Sequence, residues 1–365
     1  MGDGGDKPGY EAMDIAEAGE GAVAKAFANQ VAYCEANGAP ITARVVRGIG
    51  AVLESDAANA LVERIRRWHG APLADALPLR ITGGIHALHL SGTEGRLAPI
   101  YADLYADDAA VLRDVMETRE AELLPWLDGP PQTNEAGRSS NFVAALLWLA
   151  GQGLPPRFDC LEIGSSAGIN LMLDRYRYDL AGITVGPDDA AMRFAPEWTG
   201  SPPPAREIAF ASLEGCDVAP VDLTDPDQAL RLSAYIWPEH TVRFERMAAA
   251  IAAATERAPS VERMNAADFV ETRLARPQAE GTTRVLMHSI VWQYVPEDQQ
   301  ARITAAMEAA GAAATPDRAL AWVRVEANRT VHRHELTVRF WPGGADEVLL
   351  ARSHAHGASI EWVGS

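Results

Sequence analysis

Cysteine is scarce in this chain. There are three in 365 residues, Cys34, Cys160 and Cys216, far apart and odd in number. That pattern excludes a disulfide framework, and with no CxxC or Cys/His spacing it gives no zinc site; scattered single thiols suit a reducing cytoplasm. Long apolar runs are missing too. The stretch "FVAALLWLAG" at 142–151 falls short of the ~20 residues needed to cross a bilayer. The start, "MGDGGDKPGYEAMD", has neither a basic nor an apolar segment of the secretory kind, so residues 1–17 read as an unstructured lead-in. Positive charge is in deficit, 32 basic against 50 acidic residues for a net −18, which argues against nucleic acid or a membrane as partner. There is also no Walker lysine, no G-x-G-x-x-G and no G-x-S-x-G elbow. Simple phosphate cradles, dinucleotide sites and hydrolase triads are therefore not expected.

What is present is a large apolar fraction, 48% hydrophobic against 22% charged, enough for sizeable packed cores. Length suggests about two domains. Residues 18–152 read as helical: "GAVAKAFANQVAYCEANG" stops on Asn37-Gly38, and "SDAANALVERIRRWHG" starts at Ser55 or Asp56. A third helical period, "DDAAVLRDVMETREAELLPWL", runs to Pro125. Beyond Gly153 short β-prone runs alternate with helical ones: "RFDCLEIG", "VERMNAADF", "TRVLMHSIVWQYV" and "RALAWVRVEA". Strands alternating with helices imply a mostly parallel sheet covered on both faces, here residues 153–365. The tail from "HELTVRFW" through a "PGGAD" turn adds an antiparallel hairpin at the sheet edge.

In such sheets ligands sit beyond the carboxyl ends of the strands. The segment "CLEIGSSAGINL" orders strand, small-residue loop and helix, with Gly164, Ser165, Ser166 and Gly168 allowing close approach of a ligand and the helix offering free N–H groups. Glu162 ends the apolar strand, where an unpaired carboxylate is costly and calls for a cationic or hydroxyl partner. An unliganded strand-to-helix turn is the plain alternative. The loop resembles the first motif of Rossmann-like S-adenosylmethionine-dependent methyltransferases, with Ser166 where that pattern has its middle glycine. The resemblance implies that Glu162, Gly164, Ser165, Ser166 and Gly168 lie along the cofactor, that Asp217 in "GCDVAPVDLTD" accepts from ribose hydroxyls, and that Asp268 with Phe269 in "MNAADFV" holds the adenine. It also requires an insertion over about 181–206.

The whole pattern is similar to an uncharacterised family of bacterial proteins carrying a domain of unknown function with a methyltransferase-like core. The similarity rests on "QTNEAGRSSN", "LEIGSSAGINLMLDRYRY", "GCDVAPVDLTD", "YIWPEHTVRFER" and "VLMHSIVWQYVP". The expected fold is thus α/β: a Rossmann-like methyltransferase-type sheet, mostly parallel with an antiparallel C-terminal hairpin, plus an N-terminal all-helical cap. Histidine is a side chain suited to general-base work near neutral pH, and His288 with Tyr294 is the candidate catalytic pair; the alternative is a histidine satisfied by its surroundings. Asn134, Glu135, Arg138, Trp237, His240 and Trp292 are the candidate acceptor-binding side chains. Glu135 and Arg138 read equally as a capping loop with a salt bridge. The pairs His332/His334 and His354/His356 read as surface histidines, and no metal is expected. The function expected is a cytoplasmic methyltransferase, S-adenosylmethionine its cofactor and a small or medium-sized molecule its acceptor; the reading admits a homodimer. The rival is a binding or scaffold protein that kept the cleft and lost the transfer.

Overall fold

The computed structural model describes residues 17–364 except 20, 329 and 332. His332 and, apart from residue 17, the expected lead-in lie outside them. The chain divides into two compact units, Met1–Thr133 with Pro226–Phe244, and Asn134–Asp225 with Glu245–Ser365.

The first unit has helices and no strand among its described residues. Its helices are α1 (Ala22–Ala36), α2 (Pro40–Glu54), α3 (Ala60–Arg66), α4 (Leu77–Leu90), α5 (Ala98–Tyr101), α6 (Asp108–Thr118) and α7 (Glu120–Leu123). The helix α1 ends at Asn37, and Gly38 takes the positive φ of +70° that closes such a helix. The expected cap of α3 is displaced. Asn59, not Ser55 or Asp56, accepts the N–H of Val62 at 2.8 Å. Ser55 instead finishes α2, donating to the Val52 carbonyl and accepting from the Ala57 amide. The third helical period also breaks before Pro125, at Arg119, so two helices stand where one was expected. Apolar side chains at helical spacing, among them Val45, Ile49, Leu61, Ile81, Ile85 and Leu112, are fully buried in one core.

The second unit holds α8 (Ser139–Gly151), the part of α10 (Thr241–Glu256) from residue 245, α11 (Ala266–Leu274) and α12 (Glu297–Ala312); α9 (Pro226–Ala234) belongs to the first. The units do not follow the sequence boundary at 152. Residues 139–150 of α8 are all buried, the condition of a helix that covers a sheet and not of one facing solvent, and α8 packs on the strands of its own unit.

Twelve strands follow in chain order: β1 (Arg157–Ile163), β2 (Tyr176–Leu180), β3 (Ile183–Val185), β4 (Met192–Phe194), β5 (Glu197–Thr199), β6 (Ala209–Asp217), β7 (Ser260–Arg263), β8 (Thr282–Ser289), β9 (Arg318–Asn328), β10 (Arg333–Trp341), β11 (Gly344–Ser353) and β12 (Ser359–Trp362). Nine of them form one mostly parallel sheet in the order β5-β12-β11-β10-β9-β8-β1-β6-β7. Five adjacent strands, β7-β6-β1-β8-β9, are all parallel, and β9 to β12 continue as an antiparallel meander longer than a single hairpin. The seven consecutive buried residues 282–288 of β8 show a strand covered on both faces.

The segment after the glycine loop is not the expected helix. Residues Ile169–Arg175 form a 3₁₀ turn, and Tyr176–Leu180 form β2 of a small sheet, β3-β2-β4. Tyr176, Tyr178 and Leu180 are buried and alternate with exposed or half-buried Arg177 and Asp179, the period of two that marks a strand.

Candidate functional site

The strand order reverses at β1. The chain passes from β1 to β6 and β7 on one side, then to β8 and β9 on the other. Such a reversal leaves a crevice beyond the carboxyl ends of the strands, between connections that leave in opposite directions. Three chain segments meet at that edge: the loop 164–168 after β1, Asp217 at the end of β6, and residues 289–294 after β8.

The loop is built from unusual backbone. Gly164 (φ +67°), Ser166 (φ +52°) and Gly168 (φ +69°) are all left-handed. For serine this conformation costs about 1 kcal/mol. Asp217 offsets it: one carboxylate oxygen accepts the Ser166 amide at 2.8 Å, the other the Ala219 amide at 2.8 Å. The Ser165 hydroxyl donates to the Glu162 carbonyl, and its amide to the Cys216 carbonyl. At Gly164 an added Cβ would lie 2.1 Å from Cγ2 of Val291; at Gly168 it would lie 2.8 Å from Pro259 and Val261. The close approach that these glycines permit is thus taken up by the chain itself. The Ile169 amide, expected as a free helix-start donor, is held by Oδ1 of Asn134 at 3.0 Å.

Glu162 is the unusual group of the site. It is 2% exposed, its Oε1 accepts from Asn170 Nδ2 at 3.3 Å, and its Oε2 has no partner. Burial pushes its carboxyl up to about 8, against the opposing pull of the Asn170 and Ser165 hydrogen bonds and the Arg138 charge. Strand register places Glu162, Met287, Val323, His334 and Ser353 on one face of the sheet. Helix α8 packs on that region of the sheet, contacting β9 and β10, and the Ser139 hydroxyl at its start accepts from Tyr178 at 3.0 Å. Around its first turn Ser140 Oγ, Asn141 Oδ1, Asn170 Oδ1 and Ser353 Oγ are also buried without partners. Buried polar atoms are nearly always paired, which sets these oxygens apart from their neighbours.

Arg138, just before α8, is buried and donates through Nε to the Ala355 carbonyl, and Glu135 pairs with Arg246 at 3.2 Å. The sequence alternative is a salt bridge between domains; Glu135 does form a salt bridge, but its partner Arg246 lies in the same unit. His334, expected at the surface, is half-buried; burial, then the neighbouring Arg138 charge, holds its imidazole below the ordinary range.

His288 does not have the free ring nitrogen a general base needs. It is fully buried, Nε2 lies 3.0 Å from the indole nitrogen of Trp322, and Nδ1 lies 2.6 Å from Glu326. An indole N–H only donates, so Nε2 accepts and Nδ1 carries the proton given to Glu326. Glu326 also accepts the amides of Val291 and Trp292. Although burial raises its carboxyl, those hydrogen bonds and the His288 partner hold it below the usual range. Trp292 stacks on His288 at 5.2 Å, so it packs the same buried group. His288 is a strut for the loop after β8. Tyr294 is 69% exposed at the end of that loop.

Asp268 and Phe269 do not stand at a strand end. Strand β7 stops at Arg263, and Asp268 lies in the first turn of α11, where its amide is capped by Asn265 and its carboxylate pairs with Arg302 at 2.7 Å. The capping sequence "NAAD" competes with the strand pattern and wins. Phe269 is fully buried in the core with Leu161, Ile163 and Leu286. Trp237 and His240 belong to the helical unit, stacked on each other at 5.4 Å, with Tyr33 edge-on to Trp237. Of the expected site, then, Glu162, the loop 164–168, Asp217, Asn134 and Arg138 fall in the sheet unit around its carboxyl edge. Asn141, Asn170, Ser353 and Glu326 were missed. For Glu326 a signal existed, since it shares strand parity with the residue paired to His288.

Among the described residues no group of three or more His, Cys, Asp or Glu side chains is placed to hold a metal, and no helix is long and apolar enough to cross a membrane. The three cysteines are buried and unpaired. Fold and site together define a mixed α/β protein with a large, mostly parallel sheet whose strand order reverses at β1. Residues 24–362 match the model of the family described as "uncharacterized protein conserved in bacteria (DUF2332)", and the chain belongs to that family. No curated protein and no solved structure matches it.

Proposed function

We propose that the sheet unit binds S-adenosylmethionine at the carboxyl ends of β1, β6 and β8 and transfers its methyl group to a small acceptor. The observation that carries this reading is Glu162, a buried acid with an unpartnered oxygen at the strand-order reversal. The parallel order β7-β6-β1-β8-β9 supports it, being the order of a methyltransferase-type sheet. So does Asp217, whose oxygens each hold one amide and keep a second lone pair for a hydroxyl. The residues fit the cofactor in part: Glu162, Asn170 and Asp217 would accept from its amino and hydroxyl groups, while Asp268 and Phe269 play no part.

When bound, the cofactor supplies a methyl group on a sulfonium. The chain's own contribution is position and exclusion of water. Glu162 and Asn170 orient donor groups, and the Asp217–Ser166 bond fixes the loop that approaches them. Titration calorimetry with S-adenosylmethionine and its demethylated product tests the proposal. Saturable heat with both, weakened in Asp217→Ala, is expected; no heat with either refutes it.

A second reading, a binding protein without transfer, is favoured by one arrangement. Both nitrogens of His288 are engaged, and Val291 covers Gly164. Binding of both nucleosides without formation of the demethylated product across amine, hydroxyl and thiol acceptors would select it.

A further inference from the structure

A second cavity lies in the sheet unit, away from the carboxyl edge. It measures about 240 Å³ and is bounded by the 3₁₀ turn after the glycine loop, the first half of β6 and residues 257–260. Leu171, Phe210, Leu213 and Pro259 give it apolar walls; Asp174, Arg175 and Arg257 give it charge.

The charged groups are incompletely matched. Arg257 donates to Oδ2 of Asp174 at 2.7 Å, and Arg175 is anchored through Nη1 on the Ala253 carbonyl at 2.6 Å. Arg175 Nε and Asp174 Oδ1 are both buried without a hydrogen-bond partner, and they stand 3.9 Å apart. That separation is too long for a hydrogen bond, so the ion pair leaves one donor and one acceptor for a ligand that parts the two side chains. Two guanidinium groups against one carboxylate leave the wall one positive charge in excess, with Glu256 the next acid in the chain toward Arg175.

We propose that this cavity binds a small carboxylate bearing a hydroxyl group on the adjacent carbon. Its carboxylate sits between Arg175 and Arg257, whose planar forks match two oxygens, and its hydroxyl donates to Asp174 Oδ1. The volume lies below that of most drug-sized pockets, so the ligand is of four to six carbons at about that size. The site is independent of the adenosyl crevice, so either proposal can fail without the other.

The test is titration calorimetry of the full chain with L-malate, with succinate, which lacks the hydroxyl, and with inorganic phosphate. Malate is expected to bind saturably and more tightly than succinate. Arg257→Gln, at a side chain 63% exposed and so tolerant of change, should weaken malate by about tenfold or more. Asp174→Asn should erase the preference for malate over succinate. Absence of saturable malate binding overturns the proposal, as does equal binding of malate and succinate by the wild-type chain. Binding of phosphate alone overturns the carboxylate assignment, and malate affinity unchanged in Arg257→Gln overturns the location.

Discussion

Glu162 and His288 end neighbouring parallel strands, and both are buried, yet one is open and the other closed. His288 donates a hydrogen bond to Glu326 and accepts one from Trp322, so every polar atom of the ring is used. Glu162 has one long bond from Asn170 and an oxygen with no partner. The difference teaches where to look for a ligand. A titratable residue whose bonds are complete serves the fold, whereas one left incomplete in a low-dielectric place is the candidate to test for a ligand.

The largest effect separating the two comes from pH. The folded chain keeps the Glu162 proton up to about 8, whereas the unfolded chain releases it near the ordinary 4.5. Between those values the unfolded state binds fewer protons, so this residue makes stability fall as pH rises, on the order of 5 kcal/mol across the interval, and level beyond it. Glu162→Gln cannot ionise and should lose that slope. Urea unfolding of both proteins at pH 4.5, 6.5 and 8.5 checks it, and parallel curves would break the contrast.

Removing the closed group should cost nearly as much at any pH. His288→Ala leaves the Trp322 indole and the Glu326 carboxylate unpaired beside a cavity, a loss of about 3 kcal/mol read by urea denaturation. Next is Gly164→Ala, which places a methyl group against Val291 in a left-handed backbone. It should cost about 2 kcal/mol, of which Val291→Ala in the same chain restores about half. The smallest effect belongs to Asp217→Asn, which weakens the hold on two amides that sit partly in solvent. A loss of about 1 kcal/mol in thermal unfolding is expected, and a larger one would make Asp217 a strut like His288.

Much of the fold could be read from residue order. The helical character of residues 22–127 and the alternation of strands and helices beyond Gly153 follow from periodicity, and four of the five parallel strands, β1, β7, β8 and β9, overlap the runs that read as β-prone. What escaped was local competition. Asn265 caps a helix inside a run that looked extended, and Tyr176 with Tyr178 set a strand period over three residues that also fit a helix. At the carboxyl edge, Glu162 was legible because an acid that ends an apolar strand is costly to bury unless something pairs with it, and Asp217 through the resemblance of its motif. Asn141, Asn170 and Ser353 were not, because small polar residues are common, and only burial shows that their atoms lack partners. His288 stood out in the sequence for its chemistry, while the partners that use it up, Trp322 and Glu326, lie more than thirty residues on.

The contrast rests finally on whether the open oxygen of Glu162 meets a ligand. Carboxyl carbon NMR of selectively labelled glutamate, assigned with Glu162→Gln, measures this directly in the free chain and with the demethylated cofactor, S-adenosylhomocysteine. Titration near 8 in the free chain, falling toward the ordinary carboxylate range once bound donors stabilise the ionised form, is the predicted result. A Glu162 signal that titrates at the same pH with and without saturating ligand would contradict the account.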